Sequence, residues 1–179
     1  MMSQAEDAFT EANRHDYLNP TVWGWLALTS LEQEREDVAV QALDQAYQHN
    51  LTDPELLSKI GCKYIAMGIF KNAEDPLRKA LQFDGGVAVR SCLAEALVKQ
   101  HNLDAAKNVL QSGLDASTLP ADRITLLQEL IKVAKANGEE DQVIALGLKM
   151  ETVVAEQKDN AQGAHEEDDS TVNEVTLEE

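Results

Sequence analysis

Cys62 and Cys92 carry the most reactive side chains of this sequence, and they stand well apart along the chain. Two thiols can close a disulfide. Both, however, fall inside helical patterns, and two cysteines do not make the framework of a small secreted domain. The expectation is two reduced, half-buried thiols. Four histidines, His15, His49, His101 and His165, are the other candidates for ligand or proton chemistry. His15 and His49 are separated by the same interval as Ala5 and Ala39, or Ala39 and Ala73. They therefore occupy one surface turn on two successive copies of a repeat, and no metal site is expected. The run Glu166-Glu167-Asp168-Asp169 offers carboxylates to Ca²⁺. It lacks the spacing and the turn glycine of an EF-hand, so it reads as a solvated stretch. Thr171 and Thr176 each precede a Glu by three residues, as acid-directed kinases prefer. Such sites arise by chance in any acidic segment. There is no phosphate-binding glycine loop, G-x-S-x-G elbow or H-E-x-x-H. No enzyme is expected, and no catalytic residue, cofactor or metal.

The elements that carry these residues follow from a period. Ala39, Leu43 and Ala46 recur as Ala73, Leu77 and Ala80 and, towards the N-terminus, as Ala5, Phe9 and Ala12, each at one and the same spacing. A fixed period of about 34 residues marks one helix–turn–helix unit copied along the chain. Asn19-Pro20 and Asp53-Pro54 are helix starts, with an N-capping side chain followed by proline at the first helical position. After them come Trp23, Leu26 and Ala27, then Leu57, Ile60, Gly61 and Tyr64, which share one helical face. Gly68 suits the left-handed residue that ends a helix. A third copy is one residue shorter, the loss falling at Gly85-Gly86, with Leu93, Ala94, Leu97, Ala106 and Leu110 in place. A degenerate fourth copy has Ile124, Leu127, Leu130, Ile131 and Ala134, a stop at Asn137-Gly138, then Val143, Leu146, Gly147, Met150 and Val154. The join Ser117-Thr118-Leu119-Pro120 is longer than its equivalents. Pro76 interrupts a second helix, where it removes one backbone bond, and a late start at Asn72 or a bend is expected.

The residues Leu57, Ile60, Gly61, Tyr64, Gly68, Phe70, Ala73, Leu77 and Ala80 resemble the tetratricopeptide repeat. The resemblance covers about residues 3–157 and implies an all-α, right-handed helical solenoid. The boundaries expected are a half-repeat at 3–16, repeats at 20–50, 54–84 and 87–116, and a degenerate unit at 120–157. A disordered acidic tail is expected over 158–179. Residues 3–16 align with the second helix of a unit and have no first helix before them. The expectation is a piece or short isoform of a longer solenoid, the alternative being a capping helix. More narrowly, Asn19-Pro20-Thr21-Val22-Trp23-Gly24-Trp25-Leu26-Ala27-Leu28 is similar to the C-terminal repeat region of a cilia- and flagella-associated protein of the axoneme.

The formal net charge is −17, from 32 acidic and 15 basic residues. Phosphate backbones and anionic membrane surfaces are repelled by such a chain, so neither nucleic acid nor membrane is an expected partner. No apolar run is long enough to span a bilayer, and the first residues lack the basic and apolar regions of a signal peptide. A cytoplasmic location is expected, with the ciliary axoneme implied by the narrower resemblance. The repeat family implies a protein-binding groove lined by first-helix positions. Mapped onto this sequence, these include Leu28, Leu31, Cys62, Ile65, Glu95, Val98 and Lys99. The apolar lining suits an amphipathic partner helix. The alternative is a co-chaperone-like module that reads an acidic C-terminal peptide. The Lys and Asn positions of such a carboxylate clamp hold Gly24, Leu28 and Cys62 instead.

Overall fold

Asn19 and Asp53 cap their helices as their side chains dictate. The Asn19 Oδ1 accepts from the Thr21 N–H at 3.0 Å and the Asp53 Oδ1 from the Leu56 N–H at 3.1 Å. Each satisfies one of the donors that a helix start leaves unpaired. In the computed structural model the described residues are 18–84 and 86–172, with side chains described for 18–83 and 86–158. They form eight helices and, among the described residues, no strand. We number them α1 (Pro20–Glu32), α2 (Glu36–Gln48), α3 (Pro54–Ala66), α4 (Phe70–Asp84), α5 (Val87–Lys99), α6 (Leu103–Ala116), α7 (Pro120–Asn137) and α8 (Glu140–Val172). The all-α solenoid expected from the period is what forms.

The chain divides into two compact units, residues 1–109 and 110–179. In the first, α1 packs on α2 and α3 on α4 as hairpins, while α1, α3 and α5 stack side by side. The repeated trio forms the spine. Ala39, Ala46, Ala73, Leu77 and Ala80 are all fully buried, and so are Leu57, Ile60 and Leu93. Gly61 explains why a small residue recurs on the first helix of each copy. A Cβ there would overlap the Leu77 side chain of α4, so the glycine sets how closely the hairpin closes. Gly24 does the same between α1 and α3, facing Leu56 and Leu51.

Four hairpin turns share one geometry. Glu34, Gly68, His101 and Gly138 each have a positive φ, between 60° and 76°. The residue after each turn donates back to the carbonyl five positions earlier: Arg35 to Ser30, Ile69 to Tyr64, Asn102 to Leu97 and Glu139 to Ala134. This is the bond pattern that closes a helix on a left-handed residue. The glycine stops at 68 and 138 fall where the sequence places them. Glu34 and His101 adopt the same backbone without glycine's freedom.

Three details differ from the sequence reading. Helix α4 begins at Phe70, ahead of Asn72, and passes through Pro76, which is fully buried. The proline ring is fully buried, so apolar burial offsets part of the cost of its missing donor. Asn72 is no cap; its Nδ2 donates to the Glu36 Oε1 of α2 at 3.0 Å. In the second unit, where α7 packs on α8, the buried stripe of α7 includes Leu126 and Val133 beside Leu127, Leu130 and Ala134. Ile124 and Ile131 stay half-exposed, a rotation of the buried face by a fraction of a turn. On α8, Val153 is buried, while Ile144 and Leu148 are exposed. The backbone of α8 continues to Val172. The half-repeat expected at 3–16 lies outside the described residues, as do residues 173–179.

Candidate partner-binding face

The stacked first helices α1, α3 and α5 present one face of the first unit, and the structure sorts the seven expected groove residues into two groups. Leu28 is 7% exposed and Leu31 fully buried. Both turn into the core, because α1 is apolar on more than one side and is covered on more than one side. They do not line an accessible surface. Cys62 and Ile65 on α3 and Val98 on α5 are half-exposed, and Glu95 and Lys99 on α5 are exposed. Ile65 and Val98 are one repeat apart and hold equivalent positions on adjacent stacked helices. Gly24 and Leu28 serve packing, so neither is a surface position for a carboxylate clamp.

The feature missed by sequence reading is the meeting of the two cysteines. Their Sγ atoms lie 3.0 Å apart across α3 and α5, with either thiol able to donate. They are half-buried, as expected, and carry free thiols, but they are not separate. The hydrogen bond from Cys92 and a second from Ser58 pull the Cys62 thiol down to about 7, against the opposing effects of burial and of the Glu95 carboxylate. The signal was available. The residue equivalent to Cys62 in the next copy is Glu95, and Cys92 lies three residues before it. That is one helical turn, so the two thiols share an inter-helix seam. Ser58 also lines an open cleft of about 400 Å³ with Pro54, Glu55, Lys59, Gly86 and Val89, between the first halves of α3 and α5.

Side chains elsewhere tie neighbouring helices together. The Lys59 ammonium lies 5.5 Å from the centre of the Trp25 ring and pairs with Glu55 at 2.7 Å. The Lys79 ammonium lies 4.4 Å from the Tyr47 ring. Gln100 donates to the Phe70 carbonyl at 3.1 Å and Arg90 to the Val109 carbonyl at 3.4 Å. Burial, with Asp75, Tyr64 and Asp44 nearby, holds the Tyr47 phenol well above its ordinary range. His49 caps α2 and His101 occupies a turn. No group of three potential metal ligands converges among the described residues. The side chain of His165, the acidic run 166–169 and Thr171 lie outside the described side chains, and His15 and Thr176 outside the described residues.

Residues 1–129 match the family of the cilia and flagella-associated protein 70 C-terminal domain. The chain belongs to this family. The matched span takes in the whole first unit and reaches into α7 of the second. No curated protein matches the chain. The family is one of tetratricopeptide repeats, and the hairpins, the alanine–leucine spine and the glycine stops described above are how this member builds them. It is associated with cilia and flagella, as the narrower resemblance implied. No helix among the described residues is long and apolar enough to cross a membrane.

Proposed function

We propose that this chain is a non-catalytic scaffold that holds another protein within a ciliary assembly, the axoneme being the setting that its family supports. The observation that carries the reading is the pair Ile65 and Val98. They are half-exposed apolar residues at equivalent positions on adjacent helices, with exposed Glu95 and Lys99 on the same helix as Val98. An amphipathic helix laid across α3 and α5 would bury both side chains and meet the charges at its edge. The groove proposed is therefore Cys62, Ile65, Glu95, Val98 and Lys99, without Leu28 and Leu31. A reader of acidic peptides is the weaker reading, since two of the three matched clamp positions serve packing and the third is a cysteine.

The test is co-sedimentation of the tagged chain with isolated axonemes. The wild type is expected to bind. Ile65→Lys with Val98→Lys should keep the helical circular dichroism and weaken binding by about tenfold or more, the equivalent of about 1.4 kcal/mol. Equal binding by the double variant removes the α3–α5 face as the site. No binding by the wild type removes the axonemal setting.

A further inference from the structure

We propose that Cys62 and Cys92 are a reversible dithiol–disulfide site that staples α3 to α5. Three observations bear on it. The sulfurs already sit 3.0 Å apart, so closure to a bond of about 2 Å needs them to approach by only about 1 Å. Both residues are partly exposed, and Ser58, which bonds Cys62, lines the open cleft between the two helices. A small reagent thus has a way in. Third, the cysteines lie on two different repeats, so the bond would fix the separation of neighbouring first helices. The lowered Cys62 thiol adds to this, since the thiolate is the attacking form.

The oxidant is a small disulfide, with oxidised glutathione as the probe. The Cys62 thiolate attacks one sulfur of the glutathione disulfide and forms a mixed disulfide. The S–S bond of glutathione breaks, and one glutathione leaves with the electron pair and takes up a proton. Cys92, having lost its proton, then attacks the Cys62 sulfur and expels the second glutathione, which is protonated in turn. Two protein thiols are oxidised by two electrons, one glutathione disulfide is reduced to two thiols, and two protons pass from the cysteines to the leaving groups. A reducing compartment keeps the pair open, and oxidation closes it. The proposal stands apart from the partner reading above and survives its failure.

The experiment equilibrates the purified chain in buffers of graded oxidised-to-reduced glutathione ratio, blocks remaining thiols with iodoacetamide and measures intact mass and linked peptides. The native protein should lose two hydrogens, carry no glutathione and yield a Cys62–Cys92 linked peptide. Half-oxidation should need a ratio at least about tenfold lower than for the guanidinium-unfolded chain, because folding raises the effective concentration of one thiol for the other. Cys62→Ser and Cys92→Ser should each stop at one glutathione adduct. The proposal is overturned if the wild type stops at glutathione adducts, if it forms a covalent dimer instead, or if native and unfolded chains close at the same ratio.

Discussion

Gly61 sits where α3 crosses α4, and the fully buried Leu77 fills the space that a Cβ would need. Gly61→Ala gains up to about 1 kcal/mol of helix propensity but forces a fully packed neighbour to move, at about 1–3 kcal/mol. A net loss of about 1–2 kcal/mol is expected in urea denaturation. Cys62 answers to pH in a defined direction. Its folded-state value is lowered from 9.0 to about 7, first by the Cys92 hydrogen bond. Its modification by iodoacetamide should be half-maximal near pH 7, and Cys92→Ala should move that midpoint upward. A group lowered by folding stabilises the fold above its unfolded value and loses that contribution as the pH falls through the folded one. The share due to Cys62 is therefore complete above pH 9 and fades towards pH 7. At this scale the sequence was partly legible. The small residue at Gly61 announced close packing, because its type and its place in the repeat agree. The thiol pair was not read, because repeat spacing gives equivalent positions, whereas contact falls one helical turn away from equivalence.

Among the elements, the hairpin turns give the sharpest contrast. Gly68 and Gly138 enter the left-handed region without cost to a side chain, while Glu34 and His101 reach it against the Cβ. Glu34→Gly and His101→Gly should each stabilise the chain by about 0.5–1 kcal/mol, read as a shift of the urea midpoint at constant slope. The helix starts offer the opposite test. Asp53→Ala removes the acceptor of the Leu56 N–H and should cost about 1 kcal/mol. Helix existence and type were readable throughout the repeats from the apolar period, which the caps at Asn19 and Asp53 and the glycine stops at Gly68 and Gly138 reinforced where they occur. The start of α4 was not. Pro76 looks like an interior breaker in one dimension, and only its burial in the hairpin core shows why the helix runs through it. The groove residues of α1 were misjudged for a related reason. A repeat-family map assigns Leu28 and Leu31 to a surface, but the side chains of α1 are buried on several sides.

For the whole molecule, charge and connectivity matter more than any single contact. A net charge of −17 on 179 residues makes the folded state repel itself. Raising NaCl from about 20 mM to about 200 mM should therefore increase the thermal midpoint, because screening relieves that repulsion more than it weakens exposed pairs such as Lys59–Glu55. A fall would mean that the ion pairs dominate. Fold class was legible from the period alone, since each copy must bury its apolar face against the next. The identity of a partner was not, because the face it would use is made of residues chosen for a surface that the sequence does not contain. A mechanical property follows from the order of contacts in the first unit, where α1 meets α3 and α3 meets α5. Such a stack has no keystone. Pulled from its two ends, it would come undone hairpin by hairpin and lengthen in steps, giving a sawtooth under optical tweezers rather than a single rupture.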